Sequence, residues 1–78
     1  MIVRPNPVDG LLFVDFPEAP VDVALEIWDL KGQRHHPAVH GDAAQGMEVD
    51  VSGLSPGVYL LKAVSAEGQW TRRVTVQR

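Results

Sequence analysis

Apolar residues recur at every second position in short runs, and Gly or Pro interrupts each run before it can become a helix. Leu12, Val14 and Phe16 alternate with Phe13 and Asp15, and Val23, Leu25 and Ile27 alternate with Ala24 and Glu26. Met47, Val49 and Val51 alternate with Glu48 and Asp50 in the same way. Successive strand residues point to opposite faces, so a period of two with turn residues between runs gives half-buried strands. A helix over residues 23–30 is the one rival reading, because Ala, Leu and Glu favour helices. Pro20 and Gly32 leave it too little length, and Trp28 and Leu30 fall on a different face. The pattern predicts strands.

The turns are equally legible. Asn6-Pro7 and Asp9-Gly10 mark an early turn, and residues 17–20 close the strand that follows it. Lys31-Gly32 is a hairpin signal. Residues 33–40 are only weakly apolar and form the least defined strand, and residues 42–46 read as a loop. Ser52-Gly53 and Ser55-Pro56-Gly57 make a twice-punctuated turn. Residues 58–64 are apolar on both faces apart from Lys62, as a central strand is. After Glu67-Gly68, Trp70, Val74 and Val76 face one way while Thr71, Arg73 and Thr75 face the other. About seven short strands at this spacing predict an all-β fold, an Ig-like Greek-key β sandwich. Its expected core is Leu12, Val14, Val23, Leu25, Ile27, Val49, Val51, Leu61 and Val74. No linker or repeat divides residues 1–78, which read as one domain.

Composition removes several functions. The chain has 78 residues and no Cys, which excludes disulfides, thiol catalysis and Cys-based zinc sites. A net charge of −3 gives no basic field for nucleic acid. The apolar runs at 11–14 and 58–61 are far too short to cross a bilayer as a helix. The first four residues lead straight into Pro5-Asn6-Pro7, without the apolar core of a signal peptide.

The remaining chemistry is sparse. His35, His36 and His40 are the one metal-like cluster, but adjacent strand residues cannot share an ion across opposite faces. A solvated polar edge accounts for them. Asp9, Asp15, Glu18 and Asp22 lack the regular spacing of a calcium loop and read as surface charges. Ser52 and Ser55 have no nucleophile-elbow motif around them, and Gly53, Gly57 and Gly68 precede no helix that could cradle a phosphate. Trp28, Trp70 and Tyr59 would suit sugar stacking if exposed, which keeps a small Ig-like adhesion or carbohydrate-binding module as the alternative function. Filling the core of a small domain is the other use for such rings.

Taken together, four segments resemble the type A C-terminal sorting domain of the type IX (Por) secretion system found in Bacteroidetes-like bacteria. They are Pro5-Asn6-Pro7 before an alternating strand, and Val23-Ala-Leu-Glu-Ile-Trp-Asp-Leu-Lys-Gly32, a strand running into an Asp-Leu-x-Gly turn. The third is Asp50-Val-Ser-Gly-Leu-Ser-Pro-Gly-Val-Tyr-Leu-Leu-Lys62, and the last is Thr71-Arg-Arg-Val-Thr-Val-Gln-Arg78, a closing strand of alternating valines. The likeness covers essentially the whole chain. It departs at Gln33-Arg34-His35-His36, polar where the family runs basic and then aliphatic.

The resemblance implies a non-enzymatic secretion signal that needs no cofactor. Such a domain is the tail of a larger secreted protein, covalently attached to an N-terminal passenger that carries its own export signal. Its expected partners are the type IX translocon, an outer-membrane shuttle protein and a sortase-like peptidase that removes it. The expected destination is the medium or the cell surface, reached through the periplasm. The residues expected to carry recognition are Pro5, Asn6, Pro7, Gly57, Tyr59, Arg73, Val74, Val76, Gln77 and Arg78. Gly57 is expected to allow a tight approach into the Tyr59 strand, and the final strand to be gripped at an accessible end. Removal of residues 76–78 is expected to remove little of the core, costing about 1–3 kcal/mol for one buried valine and its ladder bonds, while export falls steeply.

Overall fold

The alternation resolves into eight strands in a computed structural model that describes residues 1–18 and 22–77. They are β1 (Ile2–Arg4), β2 (Leu11–Asp15), β3 (Ala24–Asp29), β4 (Arg34–His35), β5 (Val39–Asp42), β6 (Gly46–Asp50), β7 (Gly57–Ser65) and β8 (Gly68–Val76). Two four-stranded antiparallel sheets result, in the orders β1-β2-β6-β5 and β4-β3-β7-β8. The chain makes a hairpin in one sheet and then crosses to make the next hairpin in the other. The end of the turn expected over 17–20, and Arg78, lie outside the described residues.

The inner faces of both sheets meet in one core. Leu12, Val14, Ile27, Val49, Val51, Leu61 and Val74 are buried there, as their parity requires. Val8, Phe16, Met47, Tyr59, Ala63 and Val76 join them. Val23 and Leu25, expected inside, are only half-buried and pack against the core from its margin. The cause is the shortness of β4, which pairs only with Ile27 and Trp28. Leu25 therefore has a neighbouring strand on one side alone, and Val23 precedes the strand. The whole chain keeps 4768 Å² of accessible surface. That matches the roughly 4,700 Å² of a packed monomer of this mass.

Residues 33–40 depart most from the sequence expectation. Instead of one strand they give the two residues of β4 in one sheet and the start of β5 in the other. Pro37 lies between them and cannot donate to a ladder. The β3–β4 hairpin is held by Asp29, whose Oδ1 accepts from the backbone N–H groups of Lys31 and Gln33, each at 2.9 Å. Its Oδ2 lies 3.0 Å from His35 Nε2. β1 has no counterpart in the expected pattern. Three residues are too few to show a period, and the Arg4 side chain forms an ion pair with Asp15 and lies over the Phe13 ring.

Candidate recognition site along the C-terminal strand

β8 is the last strand of its sheet, so among the described residues one side of its backbone has no strand beside it. An uncovered edge of this kind is a template for pairing with another chain. Residues 6–8 cover its C-terminal half as a strap. Pro5 and Pro7 have no backbone N–H, so Asn6 between them pairs through its side chain. Asn6 Nδ2 donates to the Arg73 carbonyl at 3.0 Å, and Asn6 Oδ1 accepts from the Thr75 N–H at 3.0 Å. One primary amide thus supplies the donor and acceptor that a neighbouring strand would have supplied. The peptide bonds Arg4–Pro5 and Asn6–Pro7 are both cis.

Val8 continues the strap. Its N–H donates to Thr75 O at 2.9 Å and its carbonyl accepts from Gln77 N at 2.8 Å, in a parallel bridge with Val76. Its side chain is 1% exposed, so the strap is anchored in the core rather than laid over the surface. Residues 73, 75 and 77 turn their backbone groups toward the strap. By the alternation of a ladder, Gln69 and Thr71 turn theirs to the same side, where no strand lies. Among the described residues, the edge is covered in its second half and has no strand along its first.

The residues singled out from sequence converge on this end of the sheet. Pro5, Asn6 and Pro7 are exposed on the strap, and Arg73 and Gln77 are exposed on or just past β8. Across the ladder, Gly57 pairs with Val76 and Tyr59 with Val74. Tyr59, Val74 and Val76 are buried, so their side chains support the edge from within. Tyr59 ties the strand to the turn before it, its hydroxyl donating to Ser55 O at 2.5 Å. Arg78 lies outside the described residues.

Gly57 does its work differently from the expectation. No atom lies within 4 Å of where a Cβ would stand, so no close approach needs it. Its φ of 156° is what a side chain would strain.

Val8, Thr75 and Ser55 were not among the residues expected from the sequence to carry recognition. Val8 had a signal, being the one apolar residue in the polar segment 4–10. Thr75 and Ser55 act through backbone atoms and had none.

The other candidates stay apart. His35 contacts Asp29 and packs edge-on against Tyr59 at 5.6 Å. Among the described residues, no group of three or more His, Cys, Asp or Glu is placed to hold a metal ion. Asp29 has its pKa held below the ordinary 3.8, chiefly by the Gln33 N–H and then by His35. Asp50 is lowered likewise by the hydroxyl and then the N–H of Ser52. Sugar stacking needs rings open to solvent. Tyr59 is buried, Trp70 packs edge-on against Phe16 at 5.7 Å, and Lys62 Nζ sits 5.4 Å from the Trp28 ring centroid.

Comparison with known proteins matches the chain to one family. No curated protein matches the chain. A family model described as the secretion system C-terminal sorting domain matches residues 3–77, a span that contains both the strap and the strand it covers. The chain belongs to that family, and its role is that of a C-terminal secretion signal of the type IX system.

Proposed function

We propose that this domain, residues 1–78, is attached to an N-terminal passenger and is read at the strapped end of β8 by the type IX translocon and its outer-membrane shuttle protein. A sortase-like peptidase then removes it, and the passenger reaches the medium or the cell surface by way of the periplasm. The domain performs no chemistry of its own and acts by protein–protein recognition. One observation carries the reading. The family's Pro-Asn-Pro segment and its closing strand, 67 residues apart between Asn6 and Arg73, meet in a single hydrogen-bonded surface. A signal shared by many passengers has to be a self-folding unit with a distinctive edge, and this surface is one.

The sandwich itself reads as an Ig-like Greek key. Its sheet orders correspond to A-B-E-D and C′-C-F-G of immunoglobulin domains. The Tyr59 bond to Ser55, four residues upstream at the start of the F-equivalent strand, supports that reading as a tyrosine corner.

The experiment fuses the chain behind a reporter carrying a Sec signal in a type IX-competent host. The reporter is expected outside the cell or on its surface. A reporter that folds and stays in the periplasm overturns the proposal.

A further inference from the structure

The outer face of the second sheet carries a pattern that the recognition site does not absorb. Cross-strand register places Arg34, Trp28, Leu60 and Arg73 in one row from edge to edge. The row beside it holds Glu26, Lys62 and Thr71. Glu26 Oε1 accepts from Trp28 Nε1 at 3.0 Å, and Lys62 Nζ lies over the same ring, so the indole is fixed in place. Arg34 and Arg73 are exposed at the two ends, and Trp28 and Leu60 are half-buried between them.

Charge is segregated between the two outer faces. This face has Arg34, Lys62 and Arg73 against Glu26. On the opposite face the ladder parity sets Asp15, Asp42, Glu48 and Asp50 against Arg4. In a chain with ten acidic and seven basic residues, a net positive face runs against the average. Trp and Arg around an apolar centre are also the residue types that dominate protein interfaces. The broad side of the domain, 32 by 22 Å, is of the order of the ~800 Å² that each partner gives a standard interface.

We propose that the outer face of the second sheet, centred on the Arg34–Trp28–Leu60–Arg73 row, is a docking surface for an acidic protein surface with an apolar centre. The inference rests on the sorting-domain reading, since Arg73 belongs both to this row and to the strapped edge. A protein fits better than an anionic polysaccharide, because Val58, Leu60 and Val64 add aliphatic area that a glycan would not cover.

The test uses the secreted reporter fusion with Arg34→Gln and Arg73→Gln together. Secretion is expected to fall about tenfold, since the charges that select and orient the partner are gone. The thermal midpoint of the isolated domain stays unchanged. A fusion with Ala44→Glu and Gln45→Glu makes the same change in net charge in an exposed turn of the other sheet, and is expected to be secreted like the parent. Arg34→Lys with Arg73→Lys keeps the charge and is expected to retain most export, which separates charge from folding. A double Gln variant secreted at the parent level overturns this inference alone. So does retention of the domain on immobilised heparin that depends on Arg34 and Arg73, which would make the face a glycan site. A parent fusion that is not secreted overturns the sorting reading and this inference with it.

Discussion

Replacing Asn6 with Ala removes the two bonds that its amide makes to Arg73 O and Thr75 N, both at 3.0 Å, and nothing else of size. Both bonds are solvent-exposed, so water takes up the freed backbone groups and no burial penalty is added. A hydrogen bond of this kind contributes a net ~0.5–1.5 kcal/mol. The expected loss for the two bonds is therefore about 1–3 kcal/mol, against a total stability of roughly 4–12 kcal/mol for a chain of this length. Urea denaturation of parent and variant measures it, and amide exchange localises it. The Thr75 N–H should exchange faster, while the Val8 and Gln77 amides, whose bonds remain, change less. A loss below about 0.3 kcal/mol with unchanged Thr75 protection would refute the argument that the side chain stands in for a strand.

Three further outcomes are expected. Tyr59→Phe keeps the ring in the core and deletes only the bond to Ser55, so it should cost about 1 kcal/mol by denaturant unfolding. No loss would mean that the hydroxyl is spare. Asp29 and Asp50 both have folded pKa values below the ordinary 3.8, so the stability they confer is complete above that value and fades as pH falls through their folded values. Thermal midpoints should accordingly drop below about pH 4, and Asp29→Asn should flatten that part of the profile. Deleting residues 76–78 should cost about 3–5 kcal/mol, because Val76 is 1% exposed and Gln77 donates to Val8. This exceeds the modest loss the sequence suggested. An intact truncated domain of parent stability in a melting experiment would contradict the structure.

The sequence was most legible where a strand is half-buried along its whole length. β6 is the clearest case, with Met47 and Val49 inside and Glu48 and Asp50 outside. β7 was equally plain as a central strand, with Tyr59, Leu61 and Ala63 in the core and Val58, Leu60 and Val64 half-buried between β3 and β8 on the outer face. Legibility failed where partners, not patterns, decide. Leu25 has the right parity and still lies at the margin, because β4 is only two residues long. Nothing in residues 33–40 announces a change of sheet, apart from Pro37. The site was half-visible. Pro5, Asn6, Pro7, Arg73 and Gln77 could be named from motif resemblance, but their meeting depends on hydrogen bonds across most of the chain. Such long-range bonds leave no local period. Parity did place Val76 inside, but its bridge to Val8 could not be read from the sequence for the same reason.

The strap also sets the order in which the domain can assemble. β8 finds β7 across a two-residue turn, a cheap local event. Asn6 must find Thr75 across 69 residues of chain. Closing a free loop of that length costs roughly 4 kcal/mol in chain entropy. The two amide bonds supply no more than about 3 kcal/mol against it. The contact cannot nucleate folding, and it persists only once β2, β6, β3 and β7 have already shortened the effective loop. The strapped edge is therefore a late, cooperative product of the whole sandwich. A partner that binds it discriminates a finished domain from every partly folded precursor, without needing any separate means of proofreading.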